Sequence, residues 1–288
     1  MSKSSPLAAK RPVARDEPTG QELGELFSVV EHRTGVDLRE HRRPVLARRA
    51  ALRVSASGAS STEEYLSRLR DDLAEPWRLL ERLTIKVSRF FRDPAAFELL
   101  RACGVPELRA RRGAGELRAW SAGCAHGQEA YGLAMLLAGS GGPWSVLATD
   151  VDRSALTRAR AGRYPRAEVE HVPGDLALEH FAPCGADDVR VAPALARGVR
   201  FTAHDLAGPA APPGGPFDLV ACRNVLIYFL PSSQAAVLGY LVDRITPGGW
   251  LLLGEAEWPP EAVERRLEVV DRPLRIFRVK PADPGSGT

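Results

Sequence analysis

Leu117-Arg118-Ala119-Trp120-Ser121 runs directly into Ala122-Gly123-Cys124-Ala125-His126-Gly127 and from there into Gln128-Glu129-Ala130-Tyr131. The first five residues suit a strand and the last four open a helical stretch, so the small residues between them form a βα turn. Such a turn lets a ligand reach the backbone and the helix N-terminus at the carboxyl edge of a parallel sheet. By itself the signal is weak, because the three-glycine dinucleotide fingerprint is missing and a tight turn has structural uses of its own. The next strand, Val146 to Thr149, ends in Asp150, 27 residues after Gly123. An acidic side chain there can accept both hydroxyls of a ribose, so turn and acid together imply an adenosine-containing cofactor.

Outward from this segment, short apolar runs alternate with helical patterns. Further strand candidates are Val199 to Phe201, Phe217 to Cys222, Trp250 to Leu253 and Leu274 to Val279. Helical stretches lie at Glu129 to Leu137, Ser154 to Arg160 and Ser232 to Ile245, and Asp93-Pro94 reads as a helix cap with proline in the first turn. The alternation predicts a parallel α/β sheet. Residues 163–198 break the rhythm with proline, glycine and acids, and are expected as an insertion on the rim. Upstream the pattern is helical throughout: a capping box at Thr19 to Glu22 before Leu23, Leu26, Phe27 and Val30; a helix over Arg39 to Arg53; a second capping box at Ser61 to Glu64 before Tyr65, Leu66, Leu69 and Leu73; and a helix started by Pro76. The expected division is a disordered basic arm at 1–18, an all-helical domain at 19–88, an α/β domain at 89–281 and a disordered tail at 282–288.

The 288 residues are 44% hydrophobic and 26% charged, which excludes pervasive disorder and fibrous architectures. No apolar run approaches the ~20 residues that cross a bilayer, and Met1 to Arg15 has no apolar signal core, so a cytoplasmic protein without membrane insertion is expected. Cys103, Cys124, Cys184 and Cys222 lack metal-ligand spacing and are expected as isolated buried thiols; His126, His171, His180 and His204 lack it too, so no metal is expected. Residues 31–53 carry seven arginines against three acids. Aromatic residues do not interleave with these charges and the rest of the chain is net negative, which speaks against nucleic acid. No lysine stands in P-loop position after the first turn.

Four segments then carry a family resemblance. Val87-Ser88-Arg89-Phe90-Phe91-Arg92-Asp93-Pro94-Ala95-Ala96-Phe97 resembles the T-x-F-F-R-D-x-x-x-F segment of the CheR family, the chemotaxis receptor glutamate O-methyltransferases. Trp120 to Tyr131 resembles its W-S-A-G-C-S-x-G-E-E-P-Y. Ala148-Thr149-Asp150 with Ala159 to Tyr164 resembles its second strand and following helix. Cys222-Arg223-Asn224-Val225-Leu226-Ile227-Tyr228-Phe229 is similar to its C-R-N-V-L-I-Y-F, and the F-D-L-V at 217–220 with P-G-G-W-L at 247–251 resembles S-adenosylmethionine (SAM) methyltransferases at large.

The resemblance covers roughly residues 19–280. It implies a doubly wound methyltransferase sheet behind a helical domain, with 163–198 as a small β subdomain. Cofactor-binding residues would be Lys86, Ser88, Arg92, Gly123, Glu129, Asp150, Asp205, Leu206, Arg223 and Asn224, with Tyr228 and Arg92 at the reacting groups. Arg92 would fork onto the methionine carboxylate, Asp150 would take the ribose, and Glu129 would answer the amino group. The implied reaction transfers the methyl of SAM to receptor glutamates and releases S-adenosylhomocysteine. The implied partner is the cytoplasmic helical bundle of a chemoreceptor, met by a monomer whose basic helix at 39–53 complements acidic receptor faces. Lys86, Gln128, Ala130 and Asp205 depart from the family pattern, as does Gly254-Glu255-Ala256-Glu257 from a G-H-S-E-like ending. Residues 181–191 look short for the hairpin that docks a receptor tail. The residues leave open a methyltransferase of the same fold acting on another protein or a small molecule, and a SAM-binding module without turnover.

Overall fold

The structure, a computed structural model, describes residues 17–84, 86–208 and 214–281. The expected tail and most of the expected arm lie outside them. The chain divides into two compact units between Ile85 and Lys86.

The first unit holds α1 (Gly20–Thr34), α2 (Arg43–Ala56), α3 (Thr62–Asp71) and α4 (Glu75–Leu83). Thr19 and Glu22 form the full capping box, and Leu23, Leu26, Phe27 and Val30 are buried at the helical spacing. Three details differ from the sequence reading. Helix α2 begins at Arg43 rather than Arg39, because Pro44 suits a first turn and the preceding residues are held in a turn by Asp37, whose carboxylate accepts from the Arg39 backbone at 2.8 Å. At the start of α3, Ser61 accepts from the Glu64 backbone, but the Glu64 side chain turns to Ser60 and Arg68, so the box is half made. Leu73 is exposed, because α3 ends at Asp71 and Asp72 turns the chain by accepting from the Ala74 backbone. Inside the unit Glu75 accepts from Arg53 at 2.7 Å and from the Tyr65 hydroxyl at 2.7 Å, which joins α2, α3 and α4 through one buried carboxylate.

The second unit opens with α5 (Pro94–Leu99), a π turn at Leu100–Gly104 and α6 (Val105–Arg112). The π turn ends two residues before Pro106, which cannot donate to the helix ladder. Asp93 is not the side-chain cap expected for α5; it sits at φ 55 and its carboxylate faces Arg223. There follow β1 (Leu117–Ala122), α7 (Gln128–Ala138), β2 (Trp144–Asp150) and α8 (Arg153–Ala161). The insertion contains β3 (Arg163–Pro165), α9 (Gly174–His180), β4 (Phe181–Pro183), β5 (Asp188–Val191) and α10 (Pro193–Ala196); the remainder is β6 (Val199–Ala203), β7 (Phe217–Cys222), α11 (Pro231–Asp243), β8 (Ile245–Leu253), α12 (Glu261–Glu264), β9 (Leu267–Asp271) and β10 (Ile276–Val279).

The main sheet has the order β6-β2-β1-β7-β8-β10-β9, parallel except for β10, which is antiparallel to both neighbours. The chain winds outward from β1 through β2 to β6, then returns to β7 and winds the other way. The switch point therefore lies between β1 and β7, where a crevice opens at the carboxyl edge. Apolar side chains cover both faces of the sheet, Leu133, Phe97 and Trp250 in one cluster, Trp120, Leu238 and Phe277 in the other. In the insertion β3, β5 and β4 form an antiparallel sheet of their own. Cys124 and Cys222 are buried as expected, whereas Cys103 is exposed and Cys184 half-buried; all four thiols are free. No helix among the described residues is long and apolar enough to cross a membrane, and no group of side chains there could hold a metal ion.

Candidate active site

The turns after β1 and β7 meet at the switch point, and those after β2 and β6 follow along the same edge. Gly123 (φ 83) and Cys124 both donate to the Thr149 carbonyl at 2.8 Å, which folds the first turn over the end of β2. A Cβ on Gly123 would stand 2.4 Å from Val225, so glycine here permits the close approach of the turn after β7. Gly127, at φ 92, leads into α7.

Asp150 ends β2 with one carboxylate oxygen accepting from the Ala125 backbone at 2.8 Å and the other from Asp152 at 2.9 Å. Its main-chain oxygen accepts from His204, just after β6, at 3.1 Å. Burial pushes the Asp150 carboxyl pKa upward, against the pull of those two N–H groups. Glu129, one residue into α7, is also raised by burial, partly offset by the Arg223 charge and by the Ser121 hydroxyl at 2.7 Å.

Arg223 is almost wholly buried. It pairs with Asp93, lies 3.8 Å from Glu129 and stacks over the Phe97 ring at 5.5 Å. Asn224 occupies the left-handed region at φ 60, a conformation Asn tolerates better than most residues. Its Oδ1 is buried and has no partner among the described residues. The strain is held by Glu257, which lies beyond β8. One of its oxygens accepts from Asn224 at 2.9 Å and from Gly254 at 2.6 Å; the other accepts from Val225 at 2.8 Å and Leu226 at 2.7 Å. One buried carboxylate thus saturates four backbone donors and shapes the 223–228 loop, which ends in a half-buried Tyr228.

Of the residues singled out from sequence, Gly123, Glu129, Asp150, Arg223 and Asn224 are linked directly or through their turns at this crevice. Arg92, half-buried, makes a long 3.4 Å contact to the Val87 carbonyl, and its charge reaches Glu129. Lys86 is committed elsewhere: its ammonium lies 2.5 Å from Asp152, the residue that caps α8. The Leu206 side chain packs into the core beside Trp120 and Phe217, and the Asp205 carboxylate accepts from the Ala207 backbone at 2.9 Å. Ser88 is a half-buried loop residue. Sequence reasoning missed Glu257 and Asp93 as organising acids. The glutamate closing Gly254-Glu255-Ala256-Glu257 was the available signal for the first.

An acid at the end of the second strand, a glycine turn no side chain could fill, and an orphaned amide oxygen opposite it fit a nucleoside-bearing cofactor. On a sheet of this order they define a SAM-dependent methyltransferase. The family described as CheR methyltransferase, SAM binding domain, matches residues 86–274, and the CheR methyltransferase all-alpha domain matches residues 21–84. The chain belongs to the CheR methyltransferase family. It is 33% identical over 241 residues to the chemotaxis protein methyltransferase of Escherichia coli, covering 81% of this chain and 82% of that one. With chemotaxis protein methyltransferase 1 of Pseudomonas aeruginosa it shares 32% identity over 273 residues, covering 89% and 97%.

Proposed function

We propose that the protein transfers the methyl group of SAM to glutamate side chains in the cytoplasmic helical bundle of a chemoreceptor. The observation that carries this reading, beside the chemotaxis relatives, is that the acids of the crevice are engaged. Glu257 is saturated by backbone donors, Glu129 faces Ser121 and Arg223, Asp150 holds two N–H groups, and Asp93 pairs with Arg223. None of these four stands ready as a general base. A glutamate acceptor requires none, since its carboxylate is already anionic at neutral pH. When bound, SAM supplies an electrophilic methyl group, which passes to a glutamate oxygen while the sulfur keeps the bonding pair.

The residues then have positioning work to do, which is catalysis by proximity. Asp150 accepts the ribose hydroxyls, Glu129 and Arg92 take the amino and carboxylate groups of the methionine end, and Asn224 offers its orphaned oxygen. Arg223 supports this set from beneath. On the helical unit, Arg49 caps α4 through the carbonyls of Arg82 and Thr84, Arg53 is consumed by Glu75, and Arg39 pairs with Glu31 and Asp37. The exposed Arg43 and Arg48 then face an acidic receptor, a smaller patch than the charge count implies. The test is incubation with labelled SAM and receptor-bearing membranes: base-labile label released as methanol supports glutamate esters, and base-stable label overturns them.

Two outcomes follow from the geometry. Tyr228→Phe lowers kcat about tenfold while SAM affinity stays within about twofold, because the hydroxyl acts on the acceptor rather than on the cofactor; equal loss of both in single-turnover and calorimetric measurements contradicts that role. SAM affinity also falls on acidification, starting above the ordinary carboxyl range near ~4, since Asp150 and Glu129 hold protons to higher pH and bind in the ionised form. Stability of the ligand-free protein moves oppositely. A folded-state pKa above the unfolded value means the folded state takes up protons first, so these two groups add stability as pH drops through their raised pKa values. Calorimetry across a pH series reads the first effect and thermal melts the second.

A further inference from the structure

The inserted sheet grips the glycine-rich turn at two points. From β3, the buried Tyr164 donates its hydroxyl to the His126 carbonyl at 2.7 Å. Its ring stands edge-on to Phe90 at 4.9 Å, which in turn meets Phe181 of β4 at 5.3 Å, and edge-on to Tyr131 of α7 at 6.2 Å. A Cβ on Gly127 would come within 3.1 Å of the same hydroxyl. The second point is the short helical turn Arg166–Val169, tied down by the Arg166 backbone donating to Asp187 at 2.8 Å. From it, Glu168 accepts from the Gln128 amide at 3.0 Å.

Gln128 is buried, and its Oε1 has no partner among the described residues. It is also one of the positions where this chain departs from the G-E-E-P-Y pattern. A glutamate at 128 would set two carboxylates face to face at hydrogen-bond distance. Glutamine converts that repulsion into a donor–acceptor pair. His126 and Gln128 flank Gly127 and directly precede Glu129, so both contacts act on the segment that shapes the crevice.

We propose that Tyr164 and Glu168 are positioning residues that clasp the 123–129 turn to the inserted sheet and thereby set SAM affinity. The clasp rests on the reading that this turn holds SAM. It makes the insertion a mechanical part of the cofactor site, and it explains why glutamine at 128 occurs with glutamate at 168.

The test is calorimetric SAM binding by the full chain, with thermal melts alongside. Gln128→Glu weakens binding about tenfold, the worth of one charge-assisted hydrogen bond. Adding Glu168→Gln reverses the roles of the pair and restores affinity to within about threefold of wild type, a rescue that general loosening of the fold does not produce. Tyr164→Phe keeps the ring packing, loses about threefold in affinity and leaves kcat at saturating SAM unchanged. Should Gln128→Glu prove too unstable to titrate, Tyr164→Phe carries the test. A double variant as weak as Gln128→Glu alone, or a Tyr164→Phe protein with wild-type affinity, overturns the clasp. A wild-type chain that binds no SAM overturns the reading of the turn itself, and the two failures are distinct.

Discussion

Glu257→Gln is expected to reduce methyl transfer by two orders of magnitude or more. Four backbone N–H groups converge on this side chain, two on each oxygen. An amide turns one oxygen into a donor, so two of the four lose their acceptor and confront like hydrogens. Hydrogen bonds to a charged group contribute roughly 1.5–3 kcal/mol each, and two of them correspond to a factor of a hundred or more. The loss falls on the 223–228 loop, because the strained backbone of Asn224 at φ 60 donates to this carboxylate. Hydrogen exchange supplies an independent reading: the amides of Asn224, Val225 and Leu226 become rapidly exchanging in the variant while those of β1 stay protected. A Glu257→Gln enzyme with wild-type kcat and protected amides would mean that the loop is held by something other than Glu257.

What could be read from the sequence follows from how local each signal is. The turn at 122–127 and the acid at 150 are legible because strand, turn and cap are written in adjacent residues, and the parallel sheet follows from their alternation. Helix α1 is legible for the same reason, its capping box and its apolar spacing lying within twelve residues of Thr19. Strand β9 was not legible: Leu267-Glu268-Val269-Val270-Asp271 carries two acids in five residues because it is an edge strand, exposed on one side. Helix α2 starts four residues later than the helical pattern implies, because arginine continues a helix well and only Pro44 marks the boundary. The organising acids were hidden by distance. Glu257 acts on amides 31 to 33 residues earlier in the chain, and Asp93 meets Arg223 across 130 residues. Lys86 illustrates the converse. Its motif position suggested the cofactor, yet a carboxylate at the cap of α8 stands 2.5 Å from its ammonium, and no local pattern announces that pair.

Arg223→Met is expected to lower stability by about 3 kcal/mol and to weaken SAM binding at least tenfold, in the range seen when one partner of a buried pair is removed. Methionine keeps the packing against Phe97 but leaves Asp93 and Glu129 without their shared cation. Asp93 is about a third exposed, so water recovers part of its loss; Glu129 is nearly buried and bears most of the cost. In wild type the Arg223 charge opposes the upward push of burial on Glu129, so removing it raises that carboxyl further. The variant therefore responds to pH in a distinctive way. Lowering pH protonates Glu129 and abolishes the unpaired charge, so the melting temperature of Arg223→Met approaches that of wild type as pH falls, while its SAM affinity does not recover because a protonated Glu129 cannot hold an ammonium. Arg223→Lys restores a charge without the forked geometry or the ring stacking, and is expected to lie between the two. Parallel melting curves with a constant gap across pH would show that the cost of the substitution comes from packing and not from the two carboxylates.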